Sequence, residues 1–248
     1  MCRVSVCIAT YNGENYIEKQ LKSILAQLLP MDELIISDDG SQDRTIEIIE
    51  GFKDVKIRLF LNPDKRNVVK NFENALSKAK GRYIFLSDQD DIWESRKIDV
   101  MLYYLRRYDL VVSDCSIIGI EDSNKIHDSY FYLRNSGKGV LKNILANTYM
   151  GSCMAFNRFI LERSMPFPDK IPMHDWWIGL IGEVFGNTVF CPEKLVKYRR
   201  HDNNSSPFVK LKRYTLLEKI KFRKNIVLPL LKRWLVCLSD SAKFKYQS

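Results

Sequence analysis

Within its first ninety residues this 248-residue chain alternates short apolar runs with segments of helical period, and each apolar run stops at a polar turn. Val4 to Ala9 reads as a buried strand, followed by a helix over residues 15–28 with Ile17, Leu21, Ile24, Leu25 and Leu28 in phase. Glu33 to Ser37 reads as a second strand, Thr45 to Phe52 as a helix, Val55 to Leu61 as a third strand and Val68 to Ala79 as a helix. Tyr83 to Leu86 is the fourth strand. Strands joined by helices at this spacing make parallel crossovers, so the expected fold is α/β with a mostly parallel, Rossmann-like central sheet flanked by helices. Ligands of such sheets sit beyond the carboxyl ends of the strands, which makes the turns there the place to look for chemistry.

Three turns fall on that edge. Thr10-Tyr11-Asn12-Gly13-Glu14 follows the first strand, Asp38-Asp39-Gly40-Ser41 the second, and Ser87-Asp88-Gln89-Asp90-Asp91 the fourth. Asn-Gly and Asp-Gly are ordinary turn formers one at a time. Three polar turns on one edge predict a bound nucleotide, with base and ribose near the first two and phosphates at the third. The candidate nucleotide contacts are therefore Thr10, Tyr11, Asn12, Glu14, Asp38, Asp39 and Asp88. The third turn packs three carboxylates into four residues, an arrangement that repels itself unless a cation neutralises it. Hard oxygen donors at that density suit Mg²⁺ or Mn²⁺, and through the ion a phosphate.

The second half is less regular. Leu110 to Asp114 and Ser152 to Asn157 read as strands, residues 121–138 as a polar loop, and Lys142 to Asn147 and Asp175 to Glu183 as helices. Val189 to Phe190 and Leu195 to Tyr198 read as two short strands. In Met173-His174-Asp175-Trp176-Trp177, an acid opening a helix is kept ionised by the helix dipole, as a general base requires. The same place suits an N-cap, and both readings stand at this point. At least one of the two tryptophans is expected in the core; an indole wall for a sugar is the alternative. Tyr198-Arg199-Arg200-His201 closes the last strand, and the planar fork of Arg199 suits a phosphate.

Four pieces together resemble the family 2 glycosyltransferases of GT-A fold: Val6 to Asn12, Ile35 to Asp43, Asn71 to Leu76, and Ser87 to Trp93. The resemblance covers about residues 4–204, and the Ser87 to Trp93 form is most like the rhamnosyltransferase-like branch that builds bacterial surface polysaccharides. It implies a metal-dependent, inverting transfer of a sugar from a nucleoside-diphosphate sugar to a hydroxyl of a glycan acceptor, lipid-linked in that branch. It also implies roles: Asp39 on the base or ribose, Asp90 and Asp91 on the divalent ion, and Asp175 as acceptor base. Arg199 would face the diphosphate, and His201 the metal or a phosphate. An acid usually stands where this chain has His174, which departs from the family pattern.

Other classes fit less well. The chain has no G-x-G-x-x-G fingerprint, no P-loop, and none of the Gly-rich basic loop that opens a sugar-nucleotide pyrophosphorylase. A catalytically silent nucleotide-sugar or glycan-binding subunit is the runner-up, opposed by the presence of both the metal carboxylates and the base. Residues 205–248 carry eleven Lys or Arg against two acids, which accounts for the whole net charge of +9, so residues 1–204 are balanced and nucleic acid is not an expected partner. We therefore expect a domain over 1–204 and a basic helical appendage over 205–248, divided or kinked by Pro229. Leu216, Ile220, Leu231 and Leu235 would form its apolar stripe, facing either the domain or an anionic inner-leaflet surface. The six cysteines lack metal-ligand spacing, the N-terminus lacks signal-peptide anatomy, and no run is long enough to span a bilayer. These features point to a cytoplasmic protein, peripheral at most on the inner membrane.

Overall fold

A computed structural model describes residues 2–64, 67–201 and 215–245, with side chains up to residue 237. The boundary expected at 204/205, and the basic residues up to 214, lie outside the described residues. The first half follows the expected order: β1 (Val4–Thr10), α1 (Ile17–Leu25), β2 (Glu33–Asp38), α2 (Thr45–Gly51), β3 (Ile57–Leu61), α3 (Val68–Ser77) and β4 (Tyr83–Asp88). Next come β5 (Ile92–Trp93), α4 (Lys97–Tyr104), β6 (Leu110–Ile118), β7 (Lys125–His127), α5 (Tyr130–Arg134) and α6 (Val140–Leu145). A short 3₁₀ turn (Gly151–Cys153) leads into β8 (Met154–Asn157), and α7 (Arg158–Ser164), α8 (His174–Phe185), β9 (Thr188–Arg199) and α9 (Leu216–Lys245) complete the chain.

One sheet runs through the molecule in the order β3-β2-β1-β4-β8-β6-β9-β5, with β7 paired to β6. The first four strands are parallel, and β8 lies antiparallel between β4 and β6. Strand β9 is parallel to β6, and β5 antiparallel to β9. Register places Thr10 opposite Asp38 and Ala9 opposite Asp88, so the ends of β1, β2 and β4 are level and their turns share an edge. Helices cover both faces of these central strands, which is why consecutive residues Val4 to Ile8 and Ile84 to Leu86 are all fully buried rather than alternating. Helix α1 docks through Ile17, Leu21 and Ile24, each fully buried and each stabilising the fold by about 1.5–3 kcal/mol.

Three readings of the second half change. Residues 121–138 are not simply a loop, because Asp114 anchors structure there: its carboxylate accepts the Ser129 hydroxyl and the Phe131 N–H, and Ser129 caps α5. The two short strands expected at 189–190 and 195–198 are one continuous strand. Ser113 pairs with Cys191 and Asp114 with Lys194, so Pro192 and Glu193 bulge out of the ladder and hide its continuity. Pro229 does not divide the tail: α9 runs through it as a single helix, held to the domain by Ile226 and Leu230, which are 0% and 6% exposed on either side of the proline. Arg233 reinforces the docking by donating to the carbonyls of Arg163, Met165 and Pro166.

Candidate active site

The three turns are knitted into one surface by two side chains. Asn12, at a positive φ of 47°, accepts the Gln42 N–H with its carbonyl, while its own N–H donates to the Ser41 hydroxyl, joining the first turn to the second. Gln89 joins the first to the third: its carbonyl accepts the Tyr11 N–H and its amide donates back to the Tyr11 carbonyl. A Cβ at Gly13 would lie 2.5 Å from the Gln89 Oε1 and would push that side chain out of its bridge to Tyr11. The Asp39 N–H donates to the Thr10 carbonyl, and Asn71 of α3 donates to that same oxygen.

Within this frame the candidate nucleotide contacts divide. Tyr11, 39% exposed, and Asn12 lie on the open surface, and Asp39 sits at its rim with one oxygen held by the Asn62 amide at 2.8 Å. Thr10, Asp38 and Glu14 are builders of the turns instead. The buried Thr10 hydroxyl donates to Asp38, and Asp38 also accepts the Gly40 and Ser41 N–H groups and the Ser41 hydroxyl. Glu14 accepts the Arg44 N–H that precedes α2. A carboxylate whose oxygens are already filled by donors from its own turn shapes the loop and leaves contact with a ligand to its neighbours.

The acidic cluster meets the end of β9 because β5 pairs with that strand, Ile92 opposite Lys197. The His201 Nε2 lies 2.7 Å from Asp90, and the imidazole stacks on Tyr16 at 4.8 Å between centres. Asp91 is deeper, 1% exposed: one oxygen accepts the Arg199 N–H at 2.9 Å, and the other is buried without a hydrogen bond of good geometry, the Ser152 side chain being near enough to favour its charge. Burial and the neighbouring Asp90 and Asp88 hold its carboxyl well above the usual carboxylate range. The same causes act on Asp88, burial first, then Asp90 and Asp175, and push it up to about 8. Arg199 departs from its expected role. Its guanidinium is buried and committed to the carbonyls of Asp90, Gly119 and Ile120 and to Asp122, so it ties the cluster to the β6–β7 connection rather than facing a phosphate.

The facing wall is α8 with the 3₁₀ turn. Asp175 is not the cap of α8, which is Met173, but lies in its first turn. Its carboxylate accepts the Trp176 N–H at 2.6 Å, with the Gly151 N–H and the Asn147 side chain also favouring its charge; burial outweighs these and raises it to about 6. Gly151 lets this contact form, since a Cβ there would lie 2.9 Å from the His174 Nε2. His174 is 3% exposed, stacked on Phe72 at 3.8 Å, with neither ring nitrogen partnered among the described residues; burial lowers it to about 3, so it is neutral. Both tryptophans are core: Trp177 donates to the Ser164 carbonyl and Trp176 to that of Asn143.

One further group lies between the two walls. Lys97, fully buried, donates to the Ser152 carbonyl in the 3₁₀ turn and lies 4.0 Å from the centre of the Trp93 ring. Burial lowers it to about 8, with Asp91 and Asp88 among the groups that favour its charge. Its signal in the sequence is phase: Lys97 precedes Met101 and Leu105 on the buried face of α4, where an unpaired lysine is excluded.

These carboxylates make a pH-dependent prediction for the metal-free protein. A carboxyl whose folded pKa is raised contributes stability below its unfolded value, and that stability is lost as pH rises through the folded value. For Asp88 the window runs from about 4 to about 8. His174, lowered, acts oppositely but only below its ordinary 6.5, and Lys97, lowered to about 8, acts oppositely only near that pH and above it. Between pH 6.5 and 8 the carboxylates therefore dominate, and the melting temperature is expected to fall as pH rises. Mn²⁺ or Mg²⁺ should restore it, most at pH 8. A flat or rising profile without metal would contradict this.

Residues 5–165 match the family model described as Glycosyl transferase family 2. The chain is 27% identical over 220 residues to the UDP-Glc:alpha-D-GlcNAc-diphosphoundecaprenol beta-1,3-glucosyltransferase WfgD of Escherichia coli, covering 85% of this chain and 83% of that one. It is 29% identical over 242 residues to the dTDP-rhamnosyl transferase RfbG of Shigella flexneri, covering 88% and 82% respectively. Among solved structures it is similar in fold to S. aureus TarS 1-349 in complex with UDP-GlcNAc. There the TM-score is 0.67 at 17% identity, over 86% of this chain and 62% of TarS 1-349, so the chain spans less than two thirds of that structure. The mannosyltransferase PcManGT from Pyrobaculum calidifontis, in complex with GDP-Man and Mn2+, gives a TM-score of 0.59 at 17% identity, over 97% and 75%. The fold is GT-A.

Proposed function

Because the chain belongs to glycosyl transferase family 2, we propose that it moves a sugar from a nucleoside-diphosphate sugar to a hydroxyl of a lipid-linked glycan during synthesis of a bacterial surface polysaccharide, with inversion and with Mg²⁺ or Mn²⁺. The observation that carries this reading is the meeting of two walls. The acidic cluster beyond β4 and the ionisable Asp175 of α8 meet across the buried Lys97, which lies over Trp93 and donates to the Ser152 carbonyl of the 3₁₀ turn beside Asp175. Their chemistry differs: the first is a charge-dense group suited to a diphosphate through a cation, the second a lone carboxylate suited to taking a proton.

The residues fit a divalent ion. The buried Asp91 oxygen without a hydrogen bond of good geometry is an atom a cation would satisfy, and Asp90 and His201 already meet at hydrogen-bond distance. Among the described residues no three His, Cys, Asp or Glu side chains converge as a closed metal cluster. That suits an ion such as Mg²⁺, bound by one or two carboxylates and completed by phosphates and water. Asp90 and Asp91 would supply the carboxylates, with His201 fixed against Asp90, and the bound ion would supply Lewis-acid stabilisation of the departing diphosphate.

The remaining work falls to side chains. Tyr11 and Asp39 border the nucleoside, Asp39 with one oxygen fixed by Asn62. Asp175, fixed by donors to its carboxylate, takes the proton of the acceptor hydroxyl as that oxygen bonds to the anomeric carbon and the bond to the diphosphate breaks. The names of WfgD, with its diphosphoundecaprenol-linked sugar, and RfbG support a lipid-linked acceptor and a hexose donor. A cytoplasmic, membrane-peripheral location follows from such an acceptor, and no described helix is long and apolar enough to cross a bilayer.

The test is a panel of UDP-, dTDP- and GDP-sugars assayed for donor hydrolysis and for transfer, with Mn²⁺, Mg²⁺ or chelator. One donor is expected to be turned over with a divalent ion and not with chelator. Turnover of none, with a donor bound tightly, would favour the silent binding subunit.

A further inference from the structure

Helix α9 has two apolar faces, and the domain uses one. At about 100° per residue, Phe222, Ile226, Leu230 and Arg233 fall within one arc, and this is the docked side. Leu216, Leu217, Ile220, Leu228, Leu231, Trp234 and Leu235 fall within a neighbouring arc of roughly 120°, and all of them are exposed, Leu217 at 79% and Leu216 at 73%. These include all four residues whose spacing suggested a stripe. Lys224 lies inside this arc, and Lys221 and Lys232 along its far edge, all exposed.

The surface continues onto the domain. Arg223 of α9 donates to the Leu145 carbonyl, which brings the last turn of α6 to the near edge of the open stripe. Leu145 and Leu141 of α6 are themselves 63% and 76% exposed. α6 in turn packs on α8, the helix that carries Asp175. The open apolar surface therefore adjoins the acceptor wall and not the nucleotide edge.

We propose that this surface, the open arc of α9 with Leu141 and Leu145, lies in the interfacial layer of an anionic membrane. Charge selects the occupant. Residues 205–248 hold the whole net charge of +9 on an otherwise balanced chain, which complements anionic headgroups. A second copy is disfavoured by the same charge, because a two-fold contact through this arc would bring each Lys224 to the partner's own stripe, where it is buried without a counter-charge. On a bilayer the lysine stems reach along the apolar layer to the headgroups, and Trp234 suits the same depth. The surface rests on exposure and charge alone. Only its use, presenting a lipid-linked acceptor to Asp175, rests on the function proposed above.

The experiment is co-sedimentation of the full chain with vesicles of phosphatidylglycerol and phosphatidylcholine, or of phosphatidylcholine alone, at low salt. Two variants are compared: Leu217→Gln/Leu231→Gln/Leu235→Gln, and Lys221→Gln/Lys224→Gln/Lys232→Gln. All six positions are exposed, so the melting temperature should not move. Wild type is expected on anionic vesicles and far less on neutral ones. The lysine variant should lose roughly a hundredfold in partitioning, at about fivefold per lysine, and the leucine variant at least tenfold. Indifference of wild type to anionic vesicles, or full retention in the leucine variant, would overturn the proposal. So would a dimer in sedimentation velocity that the leucine variant dissolves, since the arc would then be a contact between copies. Vesicle binding with no turnover of any sugar nucleotide would leave the surface standing and refute the function instead. Truncating the tail is not an equivalent test, because it would strip Ile226 and Leu230 from the domain.

Discussion

Asp175→Asn is expected to lower sugar transfer by ~10²–10⁴-fold, the usual contribution of a positioned general base, while donor and metal binding stay near wild type. The amide keeps the size of the carboxylate and an oxygen for the Trp176 N–H, so the first turn of α8 should survive. Stability gives a second readout. Burial raises the Asp175 pKa to about 6, so at neutral pH the folded protein carries this charge at a cost relative to the unfolded chain. Removing the charge should leave the melting temperature at pH 7 unchanged or raise it, whereas a group kept for stability would lower it. The wild-type rate should also fall about tenfold per pH unit below about 6, because the protonated acid cannot accept a proton. The variant should lack that limb. Unchanged transfer with a lower melting temperature would return Asp175 to a structural part.

The other large effect is expected at Asp90. Lewis-acid stabilisation by a bound ion is worth several kcal/mol, so Asp90→Asn should reduce metal-dependent turnover by ~10³-fold or more. Calorimetric titration with Mn²⁺ should show affinity lost in parallel. Asp90 is the cleaner target of the two adjacent acids, since its carboxylate meets the His201 side chain rather than a buried main-chain N–H. Asp91→Ala would also withdraw the acceptor of the buried Arg199 N–H, mixing a folding defect with loss of the ion. If Asp90→Asn retained wild-type turnover and metal response, the ion would have to be held elsewhere.

Much of this was legible in the chain because periodicity and turns are local. The parallel half and the shared edge at the ends of β1, β2 and β4 follow from apolar runs that stop at Asn-Gly, at Asp-Gly and at the Asp88 to Asp91 turn. What stayed hidden depends on contacts far apart in sequence. Thr10 and Asp38 look like ligand contacts until the structure shows each filling the other's hydrogen bond. Arg199 looks like a phosphate clamp until its guanidinium is seen among main-chain carbonyls that only the β6–β7 connection supplies. The continuity of β9 is concealed by Pro192, which reads as a break and is a bulge. The two faces of α9 share one composition, and only the position of the domain tells the docked arc from the open one.

The buried Lys97 has a consequence for how such a catalyst diversifies. It holds the Ser152 carbonyl, and the neighbouring Gly151 N–H supports Asp175, while its charge offsets Asp91 and Asp88. On the function proposed above, proton acceptance by Asp175 and ion binding by the acidic cluster would both lean on this buried ammonium. The approach to α8 at 167–172 lies outside what Lys97 grips, whereas 121–138 carries Asp122, the partner of the buried Arg199, and is tied to the acidic cluster through it. A graft that reshapes 151–153, however favourable for a new sugar, disturbs both ends of the reaction together. On that function, the 3₁₀ turn is the place where one change would reach the base and the acidic cluster together.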